Sequence, residues 1–525
     1  MTRKITRRTL LGGLALGGMG TGYFACRHFS QPTRHEKDSS MQLPVVPTSP
    51  EALCFLSATD LVKLIRAGKL QASEVTRTLL ARIDSLNPKL NVYCCVDREG
   101  SMAAAEQIDR EVQQNQGLER PLLGVPLAIK DDLEVRGLPC TSGSNLYAKN
   151  PPPKYDDLCV ARLRAAGAVI LGKTNLPEFG HKGTTDNVLF GTTSNPWDSS
   201  KSAGGSSGGN GAALAAGLGY LALGTDVGGS IRKPASFCGV VGLKPSFGRV
   251  PRVPSGNAFT IWVSGPMARN VADTALMLRV IAGPDERDPF SLPELGPNEL
   301  DLVGPLPATV GWVPDLTGLP VEPRVLDAAR NATELLARRG VTIETVPTPW
   351  RDAPLDSLFV LHRVGAMNEA GISTEDDYRA VRDQLSPSFQ RTVEAGLKVT
   401  RAEYTRAQVE VTTFIERAAD LFERFDVLTM PTLTIPAFDK TLPLGPAIVN
   451  GQPINSHQGW AFTWPFNMTG HPAISILCGW TDDPLPLPVG LQIVGRRRMD
   501  GVVLRVAAAV EQGATWDTKR PPIAG

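Results

Sequence analysis

Two glycine- and serine-rich blocks and one lysine carry the chemistry this sequence offers. The first block reads Gly204-Gly205-Ser206-Ser207-Gly208-Gly209-Asn210, and the second Gly224-Thr225-Asp226-Val227-Gly228-Gly229-Ser230-Ile231-Arg232. A serine hydroxyl is a weak nucleophile and needs an adjacent base. Consecutive glycines expose backbone N–H groups without side-chain obstruction, and such donors can converge where a carbonyl oxygen becomes negative. A tight turn explains either glycine pair alone. Two such blocks close in sequence, both carrying serine, strain that explanation.

Three chemistries compete for these residues. A phosphate-binding loop needs G-K-[ST] at the end of its glycine run, and no lysine lies between Ser202 and Ser230. Gly204 to Gly208 satisfies the G-x-S-x-G of a nucleophile elbow, with His471 available as base. That elbow needs a hydrophobic strand directly before it, whereas Asn195-Pro196-Trp197-Asp198-Ser199-Ser200-Lys201 is a polar, turn-forming stretch. The third chemistry is a serine–lysine hydrolase. An unperturbed lysine is neutral in under about 0.1% of molecules at pH 7, so the base has to be desolvated by roughly 4–5 kcal/mol. Leu127-Ala128-Ile129 runs directly into Lys130 and can supply that apolar burial. Asp131 and Asp132 would oppose it, and they are expected to point elsewhere.

The elements that position these groups follow from periodicity. Residues 122–129 read as a buried strand ending at Lys130. Residues 72–86 carry a helical stripe that Asn87-Pro88 is expected to stop. A helix over 160–166 and a strand over 168–172 alternate as in an α/β layer. A second helical stripe over 411–425, explained by core packing, leads into a strand over 426–430. Residues 284–324 are rich in Pro, Asp and Glu and read as a surface excursion.

The 525 residues are 42% hydrophobic and 20% charged, with a formal net charge of +1. That balance suits a globular core and gives no field for a nucleic-acid partner. Eight cysteines lack C-x-x-C spacing, and the six histidines form no H-E-x-x-H. No metal or cofactor is expected, and the cysteines read as small buried hydrophobes. Arg3, Lys4, Arg7 and Arg8 precede an apolar run over 10–25, which resembles a twin-arginine export signal. The reading is a signal or membrane anchor over 1–30, a polar Pro-rich linker over 31–50 and a catalytic domain over 51–525. The protein is then periplasmic or anchored at the membrane, and cytoplasmic if translation starts at Met41.

The motifs resemble the amidase signature family. The matching stretches are Gly124-Val125-Pro126-Leu127-Ala128-Ile129-Lys130, residues 171–179, the first glycine block, residues 224–235 and residues 239–245. The likeness covers roughly residues 55–518. It implies an α/β fold with a large mixed β-sheet flanked by α-helices on both faces. It also implies a Ser–cisSer–Lys triad: Ser230 attacks, Ser206 bridges after a cis Gly205–Ser206 peptide, and Lys130 is the base. The family's oxyanion hole maps to the backbone of Val227, Gly228, Gly229 and Ser230. Ser207, Thr225, Asp226 and Arg232 map to supporting positions.

The implied activity is hydrolysis of a small-molecule amide to acid and amine or ammonia, with a homodimer left open. The alternative is the glutaminase-type amidase component of a tRNA-dependent amidotransferase. In that subgroup an aspartate helps to recognise glutamine, and Trp460 stands at its position here. A catalytically dead binding protein is disfavoured because all three triad positions are filled. Trp262, Trp460, Phe462, Trp464 and Phe466 either line an apolar acyl or aryl pocket or simply pack the core.

Overall fold

Leu127, Ala128 and Ile129 are wholly buried in the computed structural model, so the strand Pro126–Lys130 is covered on both faces, as a central strand must be. The structure describes residues 43–253, 261–514, 516 and 519–524. In chain order the main sheet comprises β1 (Tyr93–Val96), β2 (Pro126–Lys130), β3 (Val169–Thr174), β4 (Leu221–Asp226), β5 (Val241–Lys244) and β6 (Val263–Ala268). It continues with β7 (Thr309–Trp312), β8 (Thr342–Thr345), β9 (Val427–Pro431), β10 (Ala473–Trp480) and β11 (Pro488–Gly495). These 11 strands lie in the order β1-β3-β2-β4-β6-β5-β10-β11-β9-β7-β8. The pairs β3–β2, β2–β4, β9–β7 and β7–β8 are parallel and the others antiparallel. The sheet is therefore large and mixed, and helices flank it.

The parallel trio β3-β2-β4 positions the site. Its three C-terminal ends lie on one edge, where open parallel sheets present their ligands. Lys130 is the last residue of β2, and Thr225 and Asp226 end β4. The glycine blocks form the loops next to these ends, leading into helices Gly208–Ala215 and Arg232–Cys238.

Several elements differ from expectation. The helix over 72–86 runs on to Leu90, with Pro88 inside its last turn. Asn87 makes this tolerable: its side chain accepts the N–H groups of Val92 and Tyr93 and donates to the Tyr93 carbonyl, anchoring the exit. The Pro-rich excursion over 284–324 contains β7, a strand paired on both sides. Thr309–Trp312 is too short to show a period against its surroundings. The helix expected over 411–425 begins earlier, at Arg401, behind a capping box of Thr400 and Glu403.

Contacts separate the chain into Met1–Pro44 and Val45–Gly525. The segment read as a signal or anchor, 1–30, lies outside the described residues, as does most of the linker. The described part of that linker has no helix or strand until Ser49 caps the helix Pro50–Cys54. No helix among the described residues is long and apolar enough to cross a membrane.

Candidate active site

Lys130 is wholly buried, and its ammonium donates to Ser206 Oγ at 2.7 Å and to Thr225 Oγ1 at 2.6 Å. Burial in the β2 environment pulls its basicity below that of an ordinary lysine, against the opposing charge of Asp132. Asp132 Oδ2 sits 3.1 Å from Lys130 Nζ and accepts from Thr225 Oγ1 at 2.7 Å. The expectation that both aspartates turn away holds for Asp131 alone, which pairs with buried Lys173 at 2.9 Å. Asp132 faces the lysine because the chain turns after β2 and brings it back beside the end of β4.

The peptide Gly205–Ser206 is cis. Ser206 and Ser230 are nearly buried, at 2% and 7% exposure. The Ser207 N–H donates to the Ser230 carbonyl at 3.0 Å, and the Ser207 hydroxyl donates to the Thr225 carbonyl at 3.3 Å. Ser207 thereby ties the two glycine loops to each other and to the end of β4.

Asp226 organises the second loop from inside. Its carboxylate accepts from the Gly229 N–H at 2.7 Å and the Ile231 N–H at 3.1 Å. Buried Arg232 grips it with Nε and Nη2 at 3.1 and 3.0 Å, and Asn467 Nδ2 adds a contact at 2.8 Å. Although desolvation opposes ionisation, Arg232 and these hydrogen bonds hold the carboxyl well below the usual carboxylate range. Arg232 also donates to the Thr463 carbonyl, Gln492 Oε1 and Asn467 Oδ1, at 2.7, 2.7 and 2.6 Å. Gly229 has φ +109°, and a Cβ there would lie 2.0 Å from Thr463 Oγ1, so only glycine fits. The Gly229 N–H, one of the four amides expected to line the oxyanion hole, donates to Asp226 in this structure.

The aromatic residues have mixed surroundings. Trp460 and Phe462 are wholly buried in separate core clusters; Trp464 and Phe466 pack with Phe462. Trp460 stacks on Phe237 at 5.8 Å, and its indole N–H donates to the Leu444 and Ser456 carbonyls. Trp262 is half-buried beneath Arg252, whose guanidinium lies 3.8 Å from the ring centroid. His471, the base of the elbow alternative, stacks on Phe422 and contacts Thr469 Oγ1; burial pushes it down to about 3.

No disulfide links the seven described cysteines, and Cys94, Cys95 and Cys140 are half-buried rather than core residues. Among the described residues no group of three His, Cys, Asp or Glu side chains could hold a metal ion. Asp132, Lys233, Gln458, Thr463, Asn467 and Gln492 were not legible as site residues. Asp132 carried a signal in its position two residues after Lys130, and Lys233 in its place within the 224–235 motif.

A buried lysine hydrogen-bonded to a serine, beside a glycine turn leading to a second serine, sits on the edge of a large mixed sheet. The chain belongs to the amidase family, whose profile matches residues 74–504. It is 38% identical over 484 residues to an acylamidase of Rhodococcus erythropolis, covering 89% of this chain and 98% of that protein. It is 35% identical over 506 residues to one component of the glutamyl-tRNA(Gln) amidotransferase of Chloroflexus aggregans, covering 90% and 99%. Among solved structures, a bacterial aryl acylamidase of the amidase signature family superposes with TM-score 0.80 at 29% identity, covering 88% of this chain and 96% of that one. A substrate complex of 6-aminohexanoate cyclic dimer hydrolase gives TM-score 0.80 at 30% identity, covering 90% and 100%. The expected amidase signature fold is thus the observed one.

Proposed function

We propose that this chain is a stand-alone amidase that cleaves a carboxylic acid amide through an acyl-enzyme on Ser230. The observation that carries the reading is the wholly buried Lys130 amine, 2.7 Å from Ser206 Oγ and weakened as a base by desolvation. Such a lysine gives up its proton more readily than an ordinary one, and its neutral form accepts the Ser206 proton across the same contact. Ser206 in turn takes the proton of Ser230, whose oxygen attacks the amide carbon. The oxyanion is held by backbone N–H groups of the Val227-Gly228-Gly229-Ser230 turn. Collapse breaks the C–N bond as the Lys130 proton returns through Ser206 to the leaving amine. Water then attacks the ester by the same relay and releases the acid. Ser207, Thr225, Asp226 and Arg232 hold the loops in place for these transfers.

A fluorophosphonate probe combined with hydrolysis assays tests this. The wild type should be labelled at Ser230 and hydrolyse aliphatic or aryl amides, and Ser230→Ala should do neither. Retained hydrolysis in Ser230→Ala would refute the assignment. A screen including glutamine separates the amidotransferase reading, which gains if glutamine is the sole good substrate. We also propose that residues 1–30 direct export. A fusion of that segment to a reporter should reach the periplasm, and replacing Arg7 and Arg8 by lysine should retain it in the cytoplasm; export unaffected by the change would count against a twin-arginine route.

A further inference from the structure

Lys233 follows the proposed nucleophile by three positions and takes no part in the proposed proton relay. Its side chain is buried, and its amine donates to Gln458 Oε1 at 2.8 Å and lies 5.3 Å from the Trp460 ring centroid. Among the described residues it has no carboxylate in ion-pair contact. The acid whose charge reaches it, Asp226, is paired with Arg232.

This amine adjoins the reaction centre. A Cβ on Gly183 would lie 3.4 Å from Lys233 Nζ. A Cβ on Gly180, in the same loop, would lie 3.2 Å from Ser206 Oγ and 3.9 Å from Lys130 Nζ. The 180–183 loop therefore touches both the proton relay and Lys233. Gln458 Nε2 would be 3.6 Å from a Cβ on Gly228, so the partner of Lys233 stands beside the glycine turn that precedes Ser230.

Three of the chain's six histidines gather around this amine. The rings of His362 and His457 are 5.3 Å apart, and His181 sits in the 180–183 loop. Nε2 of His181 and Nε2 of His457 are buried without a hydrogen-bond partner. The charges acting on His457 are those of His362, Lys233, His181 and Arg363; those on His362 are Lys233 and Arg363; those on His181 include Lys182, His362 and Arg391. Of these, Lys182, Lys233, Arg363 and Arg391 are basic side chains. Burial pushes Lys233 down to about 7, His362 to about 4 and His181 to about 3, so these two imidazoles stay uncharged at neutral pH while Lys233 titrates there. A buried amine that donates to an amide oxygen and has no carboxylate in contact becomes favourable as an ammonium when a ligand supplies an anion.

We propose that Lys233, with Gln458 and His457, forms a subsite for a carboxylate on the substrate, so that the amide cleaved at Ser230 carries an acidic group. A single ammonium matches a singly charged carboxylate. The inference rests on the amidase reading above.

The test compares matched amides with wild-type protein. Succinyl-4-nitroanilide against butyryl-4-nitroanilide places the carboxylate on the acyl side, and 4-(butyrylamino)benzoate against butyranilide places it on the amine side. One carboxylated member should exceed its neutral partner in kcat/KM by at least about tenfold, equivalent to about 1.4 kcal/mol. Lys233→Met should collapse that ratio toward one, mainly through KM, and Lys233→Arg should keep part of it. As a second measurement, binding of succinate or 4-aminobenzoate to Ser230→Ala at pH 8, followed calorimetrically in two buffers, should show proton uptake as Lys233 becomes charged. Equal rates for acidic and neutral amides without proton uptake would overturn the subsite, as would a preference that survives Lys233→Met. Hydrolysis of the neutral anilides, lost in Ser230→Ala, reports on the amidase reading separately.

Discussion

Arg232→Met tests whether the loop carrying Ser230 is held by a buried charge pair. The substitution keeps an unbranched side chain but deletes two contacts to Asp226 and those to Thr463, Gln492 and Asn467. Asp226 would then remain as a wholly buried carboxylate hydrogen-bonded by the Gly229 and Ile231 amides and Asn467, with the more distant charge of Lys244 still acting on it. At 3.0 Å and an effective dielectric of about 20, the lost attraction is about 5 kcal/mol. Breaking one side of a buried pair costs about 3–5 kcal/mol by experience, in agreement. The stability should be read from urea denaturation and the activity from kcat/KM on a responsive amide.

The sign with pH follows from the carboxyl. In the wild type it is held low, so its contribution is present above the unfolded-state carboxylate range and lost only as pH falls through the depressed folded value. Without Arg232 the loss should set in at higher pH. Adding Asp226→Asn removes the stranded charge, so the double variant should recover at least about 1–2 kcal/mol relative to Arg232→Met. A single variant within about 1 kcal/mol of wild type, or a double variant no more stable than the single one, would refute the charge argument.

Activity should fall as pH drops through the Lys130 titration, because the relay needs the neutral amine. Asp132→Asn removes the charge that favours the ammonium and should move that acid limb to lower pH, as a full pH–rate profile would show. Lys130→Met should lower kcat by about a thousandfold or more, since base and nucleophile act as a unit; full rate at neutral pH would exclude Lys130 as base. Gly229→Ala must force a methyl to within 2.0 Å of Thr463 Oγ1 at φ +109°. It should cost at least about 1–3 kcal/mol, visible as lost stability or activity, and a wild-type-like variant would show that the turn can relax.

Parts of this architecture were legible in sequence for identifiable reasons. The buried strand before Lys130 and the helix in the 411–425 stretch stand out because an unbroken apolar run or helical period survives in one chain segment. The extension of the first helix past Pro88 was hidden because it depends on Asn87 side-chain bonds to residues after the helix. The strand Thr309–Trp312 was hidden because its partners, β8 and β9, supply the hydrogen bonds that define it.

At the site the division is sharper. Local sequence alone determined the residue types: glycine turns able to expose amides, two serines, and a lysine ending an apolar strand. It also carried the family likeness, because those motifs are contiguous. Tertiary structure alone decided that Asp132 faces Lys130, and that Arg232 draws its partners from 463, 467 and 492. It likewise brought Lys233 against Gln458. Contacts between residues more than two hundred positions apart leave no spacing for a sequence to display, and the burial that sets each group's proton affinity exists only once the sheet has closed over it.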